Sequence, residues 1–371
     1  MTISEGHGVE FLDFSEFPTE PAVQDWWRLH SQLPGDLAIT DNRTLWDEEI
    51  GGLPADIQSA LPAERHWAWA VYPWLRAAVL VPDEETVYQV LTSRNYPIIT
   101  RKEQNLLRRS HVIVIGLSTG RAVAQQVARI GVGSIHLADA DHLSPSNTNR
   151  LVGTRITDMG LTKVSSTARE LLEYNPYLDV SGQATFIDGA SLDAHLDAHD
   201  TAVVIEMIDS FPAKVEIRRS SRAHGVPVVM PTDMDWDPMI DIDYPDAPMF
   251  GGRLTDDEIA AVESPTTGFA EKTEIAMRFM ALPRWAPRSF LSGQFARHGV
   301  VPYWSQTIPA AATGAALVAR AVVDIVRGQR IPVNRVVASL RDGFGTNDSI
   351  DESESNFTQL MAAAPETEFP K

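Results

Sequence analysis

The segment 111–139 constrains the fold of this 371-residue chain more than any other. Residues 111–115 form a short apolar run rich in β-branched side chains. Gly116, Leu117, Ser118, Thr119 and Gly120 follow, and residues 121–130 then carry apolar side chains at helical spacing. Gly131 and Gly133 close that helix, and residues 135–138 make a second strand that ends in Asp139. Strand, glycine turn, helix, strand is the opening unit of a parallel α/β sheet. The pattern continues with a helix over 163–174, stopped by Asn175 and Pro176. A buried strand over 201–207, a helix over 213–224 and a strand over 226–230 come next. The spacing therefore predicts an α/β fold: a Rossmann-like, mostly parallel sheet with helices on both faces. A long helix over 310–327 and a last strand over 332–340 complete it.

Residues 1–90 read differently, as an accessory or recognition unit. Pro18, Pro21 and Pro34 punctuate it, and Trp26, Trp27 and Trp46 supply large apolar anchors. The stretch 57–79 is rich in alanine and tryptophan and reads as a packed helix or two, broken or kinked at Pro73. Trp67, Trp69 and Trp74 fit core packing better than a ligand platform. The unit is expected to be mainly helical. The tail 342–371 is acidic, lacks periodic pattern and is expected to be mobile.

Charge and composition exclude several functions. Aspartate plus glutamate number 50 against 31 lysines and arginines, a net charge of -19. That balance argues against a general nucleic-acid or anionic-membrane footprint. With no cysteine, disulfides, zinc–thiolate sites, cysteine-ligated clusters and cysteine nucleophiles are all excluded. Residues 1–15 lack the charged and apolar pattern of a signal peptide, so a cytoplasmic location is the default expectation. The most apolar stretch, 308–323, contains Thr313, Gly314 and Arg320 and reads as a buried helix. No His–His–carboxylate pattern recommends a transition-metal site.

A turn between a first strand and its helix aims backbone N–H groups at an anion, and a carboxylate at the next strand's end can accept from ribose hydroxyls. Gly116, Ser118 and Gly120 do not complete the G-x-G-x-x-G dinucleotide fingerprint. Further residues fall in order: Asp139 and Asp141; Ser146, Asn147, Asn149 and Arg150; Asp158, Gly160 and Lys163; Asn175 and Pro176; and Asp209. Over about 93–230 this order and spacing resemble the ThiF/MoeB family, the fold of the ubiquitin-activating enzymes. The resemblance implies an adenylation domain over 91–341 that uses ATP and Mg2+, adenylates a carboxylate on a peptide or small molecule and releases pyrophosphate. It implies that Gly116, Ser118, Thr119 and Gly120 form the phosphate turn, that Asp139 holds the ribose and that Asp141 fixes the loop or offers an oxygen ligand. It also implies that Asn147 and Arg150 face the phosphates, that Lys163 contacts the triphosphate and that Asp209 holds magnesium or orients the reacting carboxylate. In the family an arginine enters from the partner subunit; Arg94 lies at nearly the matching distance upstream, which implies a homodimer with composite sites.

The residue types suit that chemistry on their own account. A carboxylate attacking the α-phosphorus brings two anions together, and Arg94, Arg150 and Lys163 can offset the charge. Departures are also plain. Ser118 and Thr119 stand where the family usually has glycines, a form that resembles a bacterial branch sometimes fused to nitroreductase-like domains. Lys214 stands in place of an arginine and lacks its bidentate fork. Without cysteine, the adenylate must go directly to an outside nucleophile or collapse intramolecularly, giving an amide, a ring or a dehydration. Asp233, Asp235, Asp237, Asp241, Asp243 and Asp246 are either a solvated loop or the lining of an acceptor pocket for an amine or cationic peptide. Trp236 and Met239 suggest that part of the segment is buried or covers a site. The competing functions are a non-catalytic nucleotide-binding or scaffold protein and, with a poor fingerprint, a nicotinamide-dependent oxidoreductase.

Overall fold

The computed structural model describes residues 8–234, 236–281, 287–297, 303–340 and 343. Residues 1–7, Asp235 and, apart from Gly343, the tail 342–371 lie outside the described residues. Two sheets organise the chain. The first has the order β1 (Glu10–Asp13), β3 (Trp67–Tyr72), β4 (Ala77–Pro82), β2 (Ala38–Thr40). Its first three strands are antiparallel neighbours, and β2 joins β4 in parallel. Helices α1 (Glu20–His30), α2 (Arg43–Gly51) and α3 (Ala55–Ala60) flank it.

This corrects the expectation of a mainly helical N-terminal unit. The stretch 57–79 is helical only as far as Ala60 and then forms a hairpin. Trp67 and Trp69 stand two residues apart, the strand period, which places both on one face. Trp69 is buried and its indole N–H donates to the Phe17 carbonyl at 3.0 Å. Pro73 opens the hairpin turn, where Leu75 N–H reaches the Tyr72 carbonyl at 3.1 Å. Trp74 caps the seam with the rest of the chain, its N–H donating to Glu173 Oε1 at 2.6 Å. Beside it Phe11 stacks on Tyr177 at 4.6 Å, and the Tyr177 hydroxyl donates to the Pro82 carbonyl.

Helices α4 (Glu84–Thr92) and α5 (Arg101–Arg109) lead into the second sheet. It holds seven strands in the order β11 (Arg335–Val337), β10 (Met239–Asp243), β9 (Val228–Thr232), β8 (Thr201–Glu206), β5 (His111–Ile115), β6 (Ser134–Ala138), β7 (Asp179–Gln183). Five strands are parallel, and β10 and β11 add antiparallel pairs at one edge. β5 is buried at every position and apolar from Val112 to Ile115 because both faces are covered. Val112 and Val114 face α6 (Gly120–Arg129), α7 (Lys163–Tyr174) and the long helix α13 (Ile308–Val326); Ile113 and Ile115 face α8 (Gly189–Ala198) and α9 (Phe211–Ala223). Helix α13 is long and apolar enough to cross a membrane by composition, yet Ala311, Ala315, Val318 and Val322 seat it on the sheet. Helices α10 (Asp256–Glu263), α11 (Phe269–Met280) and α12 (Pro287–Arg297) build a further layer beyond β9. The last strand spans three residues instead of the nine expected over 332–340.

Candidate functional site

The chain leaves β5 toward β6 and β7 on one side, then returns to β8 on the other. The carboxyl ends of β5 and β8 therefore diverge, and a crevice opens at this switch point. Gly116 stands at its apex with φ +88°, and a Cβ there would lie 2.5 Å from the Met207 carbonyl oxygen. Only glycine fits such an approach. Leu117 N–H donates to Asp139 Oδ2 at 2.6 Å, and Asp141 N–H donates to Asp139 Oδ1 at 2.8 Å. One carboxylate thus ties the glycine turn to the loop after β6. Thr119 makes no side-chain cap to α6, which leaves first-turn N–H groups directed at the crevice.

Two cations converge on this turn. Arg150 Nε donates to Ser118 Oγ at 3.0 Å, and its NH1 donates to the Ser146 carbonyl and Asn149 Oδ1. Lys163, only 6% exposed, opens α7 and directs Nζ to Asp141 Oδ2 at 2.7 Å, with Asp139 Oδ2 at 3.6 Å. The fold thus brings together Gly116, Ser118, Thr119, Gly120, Asp139, Asp141, Arg150 and Lys163. Asn147 differs from expectation: it is buried, and its Oδ1 accepts from Ser144 N–H at 3.0 Å, so the contact seen holds the loop. Arg94 is exposed in the short helix Ser93–Asn95. Its neighbour Asn95 donates to the Ile130 carbonyl, at the opposite end of α6 from the turn. A helix of ten residues spans about 15 Å, so Arg94 stands well away from the turn of its own chain.

Beside the turn lies a solvent-open cleft with about 880 Å³ of free space, lined by Thr119, Asp209, Lys214, Thr232, Asp233 and Trp304 among others. Asp209 is exposed on this cleft. Asp233 is the electrostatic anomaly. Burial pushes its carboxyl up to about 7, with the Asp209 charge adding and Thr119 and Arg150 opposing. Neither oxygen has a hydrogen-bond partner of good geometry among the described residues.

Below the cleft, four charges neutralise one another. Glu206 is fully buried at the end of β8 and accepts from Ile208 N–H at 2.9 Å, Lys214 Nζ at 2.7 Å and Arg218 NH1 at 3.1 Å. Arg218 Nε donates to Asp243 Oδ2 at 2.5 Å. Burial raises the Glu206 carboxyl, but Lys214 and Arg218 outweigh it and hold the group ionised below its usual range. Sequence reading missed this network, although Lys214 and Arg218 stand four apart on one helix face.

The acidic run is neither a solvated loop nor, as a whole, a pocket lining. Asp241 takes a bidentate pair from Arg335 at 2.7 and 2.8 Å, Asp243 serves Arg218, Asp237 accepts from Ser339, and Asp246 pairs with Arg330. Of the run's described members, Asp233 reaches the cleft.

The model of the ThiF family matches residues 92–237. An uncharacterized protein of Mycobacterium tuberculosis is 38% identical over 193 residues, 51% of this chain and 26% of that protein. The molybdopterin-synthase adenylyltransferase of Escherichia coli is 31% identical over 127 residues, 34% of this chain and 50% of that protein. The chain thus spans between a quarter and a half of these relatives' lengths. The crystal structure of the E. coli tRNA N6-threonylcarbamoyladenosine dehydratase aligns with a TM-score of 0.47 and 17% identity, covering 65% of this chain and 95% of that one. Over residues 92–237 the chain is similar to the ThiF family, and it contains no cysteine.

Proposed function

We propose that the chain adenylates a carboxylate on a peptide or small molecule, using ATP and Mg2+, and passes the acyl group directly to a non-cysteine nucleophile. The observation that carries this reading is the convergence of Asp139, Arg150 and Lys163 on one glycine turn at the sheet's switch point. The relatives named as adenylyltransferases support it. In this reading Asp139 accepts from the ribose, and the N–H groups of the turn receive phosphate oxygens. The substrate carboxylate oxygen attacks the α-phosphorus, and the bond to pyrophosphate breaks. Arg150 and Lys163 offset the charge that gathers there. Lys163 first exchanges its pair with Asp141 for the phosphates. Asp209 offers the exposed oxygen donors that magnesium takes, and the ion would neutralise the departing pyrophosphate.

In the second half an amine or hydroxyl attacks the acyl carbon and AMP leaves. Asp233, with a carboxyl near neutrality, is suited to take the nucleophile's proton. An amide, a ring or a dehydrated product results, according to the nucleophile. The cleft between Asp209 and Asp233 suits a neutral or cationic acceptor.

Calorimetry with ATP and Mg2+ against NAD, on the unaltered chain and on Lys163→Ala, tests the reading. We expect ATP binding that weakens at least about tenfold in the variant, as loss of a charge-assisted contact implies. Pyrophosphate release with a panel of peptides and carboxylic acids then identifies the substrate. NAD binding would return the oxidoreductase reading, and binding of neither would favour a scaffold.

A further inference from the structure

Four histidines meet at the other end of the sheet. His111 opens β5, His136 lies within β6, His195 is on the last turn of α8, and His199 caps that helix. They stand up to 88 positions apart in the chain, so no local spacing marks them. One ring nitrogen from each of His111, His195 and His199 lies within 4.8 Å of the others. His111 Nε2 and His195 Nε2 are 2.8 Å apart. The His195 ring lies 4.2 Å from His199 and 4.1 Å from His136, centroid to centroid.

Their hydrogen-bond partners fix the protons. The Ser134 hydroxyl donates to Asp179 Oδ2 at 2.7 Å, so toward His111 Nδ1, also at 2.7 Å, it accepts. His111 Nδ1 therefore carries the proton and Nε2 presents a lone pair. His199 Nδ1 faces the His195 carbonyl at 3.0 Å, an acceptor, so its Nε2 presents a lone pair as well. His136 is 4% exposed, and its Nε2 has no hydrogen-bond partner among the described residues. A single N–H from His195 can serve His111 alone. A cation serves the whole group.

We propose that His111, His195 and His199 bind one divalent first-row transition ion, with zinc as the reference, and that His136 Nε2 accepts from water in the fourth position. Three imidazoles and a water are a coordination set zinc takes, and nitrogen donors without a carboxylate do not suit magnesium or calcium. The Asp179–Ser134–His111 chain is the outer support that orients such ligands. His199 is exposed and gives the ion a way in. The ion would tie α8 to the amino end of β5, a strand length from the glycine turn.

The test uses the tag-free 371-residue chain stripped of metal. Zn2+ is titrated against a chromophoric chelator, and Co2+ is added separately for its visible spectrum. We expect one equivalent per chain, tetrahedral cobalt bands, and a higher Tm with metal. His195→Ala and His199→Gln should each weaken zinc by more than about 100-fold, and Ser134→Ala by about 10-fold. ATP binding should stay unchanged in all three. His199 lies at the surface, so His199→Gln decides the matter even if His195→Ala fails to fold. Lack of equimolar uptake of Zn2+, Co2+, Ni2+ and Cu2+ overturns the proposal, as does uptake that survives both histidine substitutions.

Discussion

At the scale of single residues, two buried carboxylates with opposite environments make opposite predictions. Asp233 is held near 7 by burial without adequate partners, whereas an unfolded aspartate ionises near 3.8. Between those values the folded state keeps a proton that the unfolded state has lost, so stability falls as pH rises through this window. Above about 7 the full penalty is present, and below about 4 it is absent. Asp233→Asn should therefore raise Tm at pH 8 and leave it unchanged near pH 4, and thermal unfolding at both values checks this. If Asp233 accepts the nucleophile's proton, the same variant loses turnover although it is more stable, a split that a packing role would not produce. Glu206 behaves the other way. Replacing it with glutamine leaves Lys214 and Arg218 with one anion, Asp243, between them. Breaking a buried charge set in this way costs about 3–5 kcal/mol, so Glu206→Gln should lower the denaturant midpoint strongly at neutral pH.

At the scale of elements, the turn after β5 depends on close approach more than on backbone freedom, and two glycines with the same φ separate these effects. Gly116 and Gly160 both have φ +88°, but an added Cβ meets the Met207 carbonyl at 2.5 Å in the first and nothing within 4 Å in the second. Gly160→Ala should carry backbone strain alone, about 1–3 kcal/mol, while Gly116→Ala adds displacement of β8 from β5. Chemical denaturation of the pair should show the larger loss at Gly116, and ATP binding should fail there first. The strands and helices around this turn were legible because both faces of the central sheet are covered, which writes apolar runs into the interiors of β5 and β8. Helix α7 could be read to the residue because Thr162 caps it and Asn175 with Pro176 ends it. The hairpin of β3 and β4 was not legible, because alanines and tryptophans carry both periods and Pro73 suits a turn as well as a kink. Nor was the role of the acidic run. Asp241 is neutralised by Arg335, 94 positions away, and Asp243 by Arg218, 25 positions away, and no local window contains either partner. The same distance concealed the histidine cluster, whose members become neighbours only when α8 lies on the sheet.

At the scale of the whole molecule, the family resemblance implies a third cation, Arg94, supplied by a partner chain. Arg150 and Lys163 reach the turn within one chain, whereas Arg94 sits exposed at the far end of α6. Around it Tyr96 and Ile98 are also exposed, Ile98 at 87%, an apolar surface beside a cation. A two-fold pairing of chains through this region would carry Arg94 of each into the other's crevice, since an isologous contact exchanges the same residues in both directions. The homodimer that the resemblance implies makes a quantitative prediction. Arg94→Ala and Lys163→Ala chains should each be nearly inactive in pyrophosphate release. Mixed and allowed to re-pair at random, half of the dimers contain one chain of each kind. In such a dimer the site with an intact Lys163 also receives an intact Arg94, and the other site lacks both. Activity should therefore recover to about a quarter of the unaltered protein's. If Arg94 acted within its own chain, or had no part in the reaction, mixing would restore nothing beyond the sum of the two variants. Sedimentation of the mixture under the assay conditions establishes that dimers are present, so a null recovery counts against the shared site and not against assembly.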